Sequence, residues 1–295
     1  MGTVRNNAVE WETNSWVGSG EGRINEDYAL VSPEGRCAVL VDGATGLTKA
    51  NVVAGESDAA WFARSLCEEL AEHLRNPLTP TVEALTTAGQ AVAQAYRRFP
   101  GAEELKRIDE PNGSLVVLRW SGEAIEVTLL GDGTAAVVLR DGTAHALHDD
   151  TLTKLDNQNY ERMYAFATER GTTMAQARRA LNPRFIENRL KMNEPGGYWA
   201  ADISCRGMEH AQSFTFDAGD VKALFACSDG YAAAVDMGVA ASAEELALRV
   251  AAGEGVALGE ELRAAERADE ACWRVHRSKT SDDATYALVR FAQVM

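Results

Sequence analysis

Three times the chain runs an apolar, strand-like stretch into an aspartate and a glycine: CAVLVDG at 37–43, EVTLLGDG at 126–133 and KALFACSDG at 222–230. Short β-branched apolar runs bounded by turn residues predict strands buried on both faces. Such strands need cover on each side, so the chain is constrained to a layered, sheet-rich core with carboxylates at the strand mouths. A single Asp-Gly pair predicts only a turn, and Asp141-Gly142, set between VVLR and TAHAL, reads as an ordinary hairpin. Repetition at strand ends sets Asp42, Asp132 and Asp229 apart. Asp282 and Asp283 stand at the start of a further strand-like run, ATYALVRF at 284–291.

Taken in order, residues 11–17 read as a strand, followed by a polar loop, SGEGRINED, that carries Arg23, Glu26 and Asp27. A hairpin of strands 28–31 and 38–41 about Pro33-Glu34-Gly35 brings those carboxylates toward Asp42. Helical spacing then links Ala59, Phe62, Ala63, Leu66, Leu70 and Leu74, and again Val82, Leu85, Ala88, Val92, Ala95 and Tyr96, with Pro80 at a tolerated first-turn position. These two helices are expected to lie antiparallel on a sheet. A meander follows, with strands at 114–120, 125–130, 135–140 and 144–147. Residues 149–212 lose the pattern and read as an elaborated, flap-like insertion in which Tyr198 and Trp199 serve packing. Strand 222–227 precedes a helix with a Ser242/Glu245 capping box. A helix over 259–276 carries mixed charge and reads as a solvated face. No internal repeat or low-complexity tract is present.

The 295 residues are expected to form one large domain. A net charge of -15 argues against a nucleic-acid partner and fits a protein that holds cations. The five cysteines are an odd, scattered set without a C-x-x-C pair, which signals neither a disulfide framework nor zinc. None is followed six positions later by arginine, which removes a cysteine-nucleophile phosphatase. No run approaches bilayer length, residues 1–14 lack the apolar core of a secretory leader, and Asn6 breaks the myristoylation pattern begun by Gly2. The expectation is a cytoplasmic monomer with no membrane association.

Asp27, Asp42, Asp132, Asp229 and Asp282 all fall at predicted strand mouths, and none of the five histidines does. All-oxygen donors suit Mg²⁺ or Mn²⁺ and disfavour zinc or copper. Carboxylates forced together repel unless a cation neutralises them. Two divalent ions about 4 Å apart and sharing one carboxylate activate water and clamp a phosphoryl oxygen.

Arg23 with Glu26-Asp27, VDG at 41–43, NGSLVVL at 112–118, GDG at 131–133, SDG at 228–230 and SDDAT at 281–285 together resemble, in order and spacing, the PP2C-type metal-dependent protein phosphatases, in particular bacterial members. The resemblance spans nearly the whole chain and is weakest over 149–212. It implies an α+β fold, a four-layer α/β/β/α sandwich of two mostly antiparallel sheets flanked by helix pairs. It also implies hydrolysis of phosphoserine and phosphothreonine on proteins by a metal-activated water, in opposition to Hanks-type kinases. Position by position it makes Asp42 the bridge between two Mn²⁺ or Mg²⁺ ions. The Gly43 carbonyl and Asp27 then serve one ion, with Glu26 as the alternative to Asp27, and Asp229 and Asp282 serve the other. It makes Arg23 the substrate-phosphate contact and places Asp283, where the family usually has Asn, behind the metal ligands.

Departures from the family pattern accompany these matches. Ala44-Thr45-Gly46-Leu47 replaces the family's histidine-bearing loop, leaving protonation of the leaving group to water. Gly131-Asp132-Gly133-Thr134 stands where Gly-Asp-Ser-Arg is usual, and Ala233 where a further aspartate is expected, which argues against a third ion; Asp236 is the nearest substitute. Asp132 is balanced between metal site and turn. These changes leave a second reading, a diverged signalling module that binds phosphoprotein without turnover.

Overall fold

The computed structural model describes residues 2–6, 9–20, 22–48 and 50–292. Residue 1, within the stretch tested above for a leader, lies outside the described residues, as do 7, 8, 21, 49 and 293–295.

Strands β1 (Gly2–Asn6) and β2 (Val9–Trp16) open the chain, and β3 (Asp27–Ser32) and β4 (Cys37–Ala44) form the anticipated hairpin. Helices α1 (Asp58–His73) and α2 (Thr81–Tyr96) follow. The meander is β5 (Asn112–Trp120), β6 (Ala124–Leu130), β7 (Thr134–Leu139) and β8 (Ala144–Leu147), with Asp141-Gly142 turning the last pair. The insertion folds as α3 (Thr151–Arg170), α4 (Met174–Ala180), α5 (Asn182–Arg189) and the two-residue β9 (Ala201–Asp202). The chain then forms β10 (Gln212–Asp217), β11 (Val221–Cys227), the single turn α6 (Asp229–Ala232), α7 (Ala243–Arg249), α8 (Gly255–Ala268) and β12 (Ala284–Phe291).

All named strand pairings are antiparallel. One sheet runs β10-β6-β5-β4-β3 with β9 added to the end of β5, and the other runs β1-β2-β12-β11-β7-β8. In β4, Ala38 and Leu40 face the opposite sheet beside Val116, Leu118, Val137 and Leu224, while Cys37, Val39 and Val41 face α1 and α2 beside Phe62, Leu66 and Leu85. Both faces of the strand are buried, which is why its sequence is continuously apolar rather than alternating. On the outer face of the second sheet, Phe225, Tyr286 and Leu288 pack with Tyr231, Leu246, Leu258 and Leu262. The result is the α+β sandwich of two antiparallel sheets flanked by helices. All five cysteines are free, four of them buried and Cys205 half-buried.

Two details near the C-terminus depart from the sequence reading. Glu245 completes its cap by accepting from the Ala241 amide, while Ser242 accepts from the Glu245 amide. More consequentially, α8 stops at Ala268 instead of running to 276. The Asp269 carboxylate captures the amides of Trp273, Arg274 and Val275 and pairs with Arg277 at 2.6 Å, offering the backbone a better set of partners than another helical turn. Nor is α8 simply a solvated face: Arg263 and Glu266 are 9% and 2% exposed and joined at 2.8 Å. Arg263 also donates to the carbonyls of Trp16 and Asp282, at 2.9 and 2.6 Å.

Burial pushes the Asp269 carboxyl upward, but the Arg274 and Val275 amides and the Arg277 guanidinium outweigh it and hold the group down at about 2. A depressed carboxyl contributes stability that is complete above its unfolded value near 4 and is lost as pH falls toward 2. Asp269→Asn is therefore expected to cost about 1–2 kcal/mol at neutral pH, with solvent screening limiting the effect, and to remove that part of the acid dependence. Urea unfolding of both proteins at pH 7 and pH 3 measures it.

Candidate metal centre

The mouths of the two sheets meet at one end of the sandwich. In the β3/β4 hairpin Asp27 lies directly opposite Asp42, and Asp42 in turn lies opposite Ser114 of β5. Two carboxylates at a cross-strand pair are a built-in electrostatic conflict. From the other sheet, Asp229 follows the end of β11 and Asp282 precedes the start of β12; the Asp229 amide donates to Asp42 Oδ2 at 3.3 Å. Asp132 arrives from the turn between β6 and β7. All but Asp27 line one cleft of about 720 Å³, and Arg23, Glu26 and Gly43 line it too.

Glycines let the backbones approach this closely. A Cβ on Gly43 would lie 2.5 Å from the Glu26 carbonyl, one on Gly113 2.3 Å from the Asp42 carbonyl, and one on Gly230 1.9 Å from the Asp283 carbonyl. The glycine after each strand-end aspartate is therefore a packing requirement at 43 and 230, beyond any turn preference.

Burial raises the Asp27 carboxyl to about 7, and Asp282 and Asp283 add to the rise. The Ser228 and Thr285 hydroxyls temper it without bonding to it. Thr285 shares a 2.6 Å hydrogen bond with Ser15 in which either hydroxyl can donate, and among the described residues both Asp27 carboxyl oxygens are buried without a hydrogen-bond partner. Asp42 is raised by desolvation and then by the charges of Asp27, Asp229, Asp282 and Asp132. Asp132 is raised chiefly by desolvation, with its own amide and Ser114 working against the rise. Asp229 opens onto the cleft, so water weakens the influences that raise it, desolvation first and then Asp282 and Asp132.

An all-oxygen donor set around two orphaned buried carboxylate oxygens fits a hard divalent cation. Asp27, Asp42, Asp229 and Asp282, with the Gly43 carbonyl, are the groups that could hold it. Among the described residues, however, no three His, Cys, Asp or Glu side chains are drawn into one ligand sphere. Asp282 is engaged elsewhere: its Oδ1 accepts from Lys279 Nζ and from the Asp283 amide.

Asp283 is 3% exposed and ties the cleft wall together, accepting from the Gly18 amide at 2.6 Å, the Glu26 amide at 3.0 Å and Arg23 Nη2 at 3.2 Å. Glu26 turns to Thr45, whose hydroxyl donates to Glu26 Oε1. The loop at 44–47 is thereby fastened to the site. It is fixed on its other side where Leu47 N reaches Ile108 O and Thr48 N reaches Asp109 Oδ1.

The insertion supplies a wall of the cleft that the sequence did not reveal. Asp156 and Tyr160, one turn apart on α3, join Arg178, Asn188, Arg189 and Tyr198 there. Burial first, then the Asp132 charge, lifts Asp156 to about 6 against Arg189 and Arg178. The available signal was the i, i+4 spacing of Asp156 and Tyr160 on an otherwise polar helix. Tyr198 both packs against Met192 and Ala200 and reaches the cleft; Trp199 stacks on His210 at 3.4 Å. Asp236 lies in an adjoining cavity of about 530 Å³ that shares Asp132, Asp156, Asp229 and Asp282 with the first.

Residues 19–265 match the family model described as protein phosphatase 2C. The chain belongs to that family. No curated protein sequence matches it. Among solved structures it is similar to PppA of Pseudomonas aeruginosa (16% identity, TM-score 0.58, covering 97% of this chain and 99% of that one). It is likewise similar to the Mycobacterium tuberculosis serine/threonine phosphatase PstP (16%, 0.56, 97% and 100%) and to Stp1 of Staphylococcus aureus (12%, 0.53, 97% and 96%). The PstP catalytic domain has been solved in complex with 2 manganese ions. At these identities the structural likeness establishes the shared fold. No helix among the described residues is long and apolar enough to cross a membrane.

Proposed function

We propose that the chain is a metal-dependent protein serine/threonine phosphatase, with residues 1–295 acting as one catalytic unit and the 149–212 insertion as a wall of its cleft. The observation that carries this reading is the convergence of Asp42, Asp229 and Asp282 from both sheets at one cleft, with Asp27 buried directly behind Asp42 across the hairpin and both its oxygens unpartnered among the described residues. Family membership and the manganese-bound PstP domain support it. Two Mn²⁺ or Mg²⁺ ions would be held by Asp42, which would serve both, with Asp27 and the Gly43 carbonyl serving one and Asp229 and Asp282 the other. When bound, such ions supply an acidified water and an electrophilic clamp on phosphoryl oxygens.

The chain's own residues do the rest. Arg23, held by Asp283, offers its guanidinium to the phosphate of a phosphoserine or phosphothreonine side chain, a charge-assisted contact in a cleft otherwise dominated by carboxylates. Glu26 and Thr45 fix the loop beside it. The Thr45 hydroxyl is committed to Glu26 and no histidine stands on this loop, so the leaving alkoxide takes its proton from cleft water. Physiologically, the substrate is a phosphorylated protein opposed by a Hanks-type kinase, and the enzyme works in the cytoplasm as a monomer.

Phosphate release from a phosphothreonine peptide, with Mn²⁺, Mg²⁺ or EDTA, tests the proposal. Turnover that requires the ion supports it. Folded protein that binds the peptide but releases no phosphate with either ion would replace it with the non-hydrolysing module.

Asp283→Ala strips Arg23, Gly18 and Glu26 of their shared acceptor and is expected to lower kcat/KM about 10- to 100-fold, as for groups lying behind metal ligands. Asp283→Asn keeps an acceptor oxygen but not the charge on Arg23 and should fall between. Steady-state kinetics on the same peptide reads both.

A further inference from the structure

Lys279 is a cation placed among the aspartates by the chain itself. It stands three residues before Asp282, and its ammonium donates to Asp282 Oδ1. It lines both cavities that meet at the centre, alongside Asp132, Asp156 and Asp229. Its position is preset by the loop that carries it. Arg277 clasps the Glu266, Asp269, Val275 and Thr280 carbonyls, and the Ser281 amide and carbonyl are both bound to Ser19, at 3.0 and 3.1 Å for the respective contacts. Arg23 reinforces the arrangement, its Nη2 lying 3.8 Å from the same Asp282 oxygen. Asp282 Oδ1 is thus shared by an ammonium, a backbone amide and a nearby guanidinium.

We propose that Lys279 is a resident counter-cation of the centre: an ion that takes Asp282 Oδ1 must first displace the Lys279 ammonium, and one that takes Oδ2 binds against its charge, which makes the Asp229/Asp282 side the weaker of the two ion sites. This rests on the metal-dependent reading above. The physical reason is that a divalent ion and an ammonium cannot share one carboxylate oxygen without strong mutual repulsion, so every ion bound there is charged with the cost of moving the lysine. Among the described residues no cation is bonded to Asp27 or Asp42: the Asp27 oxygens have no hydrogen-bond partner there, and Asp42 Oδ2 accepts from the Asp229 amide at 3.3 Å. Binding is then ordered, with the Asp27/Asp42 side filling first.

The test is a Mn²⁺ titration of the full chain followed by the paramagnetic resonance of free Mn²⁺, which reads stoichiometry and affinity without reference to turnover. Wild type is expected to bind in two steps. Lys279→Met, similar in length but uncharged, should tighten the second step at least about tenfold and leave the first unchanged, while Lys279→Arg should keep it weak. Circular dichroism confirms that the variants are folded. Two bound ions with the same second step in wild type and Lys279→Met would overturn the inference while leaving the metal-dependent reading intact. A weaker second step in Lys279→Met would overturn it as well, because the lysine would then be supporting Asp282 rather than competing for it. No bound ion in wild type would remove the metal-dependent reading itself, and the inference with it.

Discussion

Asp42→Asn is expected to lose metal-dependent phosphate release by more than about 100-fold and, in EDTA, to unfold at a higher temperature than wild type. Both effects come from one position. Asp42 faces Asp27 across the hairpin and feels Asp229, Asp282 and Asp132 as well. Removing its charge deletes the carboxylate proposed to serve both sides of the centre, a larger loss than the 10- to 100-fold typical of groups behind the ligands. The same change relieves repulsion in the ion-free protein. The sign with pH follows from Asp27, whose folded value of about 7 lies above its unfolded value near 4. Between those limits the folded state binds more protons than the unfolded state, so ion-free wild type loses stability as pH rises from about 4 to about 7. Mn²⁺ should reverse that loss, because a ligand bound only by the folded state stabilises it. Thermal melts of both proteins at pH 5 and pH 7.5, with Mn²⁺ or EDTA, separate the two contributions.

Arg263→Ala should destabilise the fold by about 3–5 kcal/mol, the range for removing one partner of a buried pair. Glu266, 2% exposed, is left without its guanidinium, and the carbonyls of Trp16 and Asp282 lose a donor. Three elements come loose together: the end of β2, α8 and the approach to β12. Because a buried pair contributes little over apolar residues of similar size, Arg263→Met combined with Glu266→Leu should recover most of the stability. It should not recover the wild-type second step of Mn²⁺ binding, since the Asp282 backbone remains unclamped. Urea unfolding and Mn²⁺ titration of the single and double variants distinguish the structural role of Arg263 from its positioning of Asp282.

The strand mouths were legible because their cause is local. A doubly buried strand such as β4 must be apolar throughout, and the short turn at 33–36 fixes a register in which Asp27 meets Asp42. The helices α1 and α2 were equally plain, since each buries one stripe at helical spacing. What escaped was set by tertiary partners. The end of α8 depends on Asp269 capturing amides beyond the helix, and Arg263 and Glu266 look like surface charges until Trp16 and Asp282 are seen beside them. The Ser242/Glu245 pair was found, but its second bond goes to Ala241. In the insertion, Asp156 and Tyr160 gain meaning only from the aspartates they face. Arg23 was singled out as a phosphate contact; its anchoring by Asp283, across some 260 residues of chain, has no local signal.

The most direct measurement is anomalous diffraction from crystals grown with Mn²⁺. Two peaks sharing Asp42, one beside Asp27 and the Gly43 carbonyl and the other beside Asp229 and Asp282, are the predicted result. No peak at Asp42, or a single ion held without it, would contradict the two-ion centre and the hydrolytic function built on it.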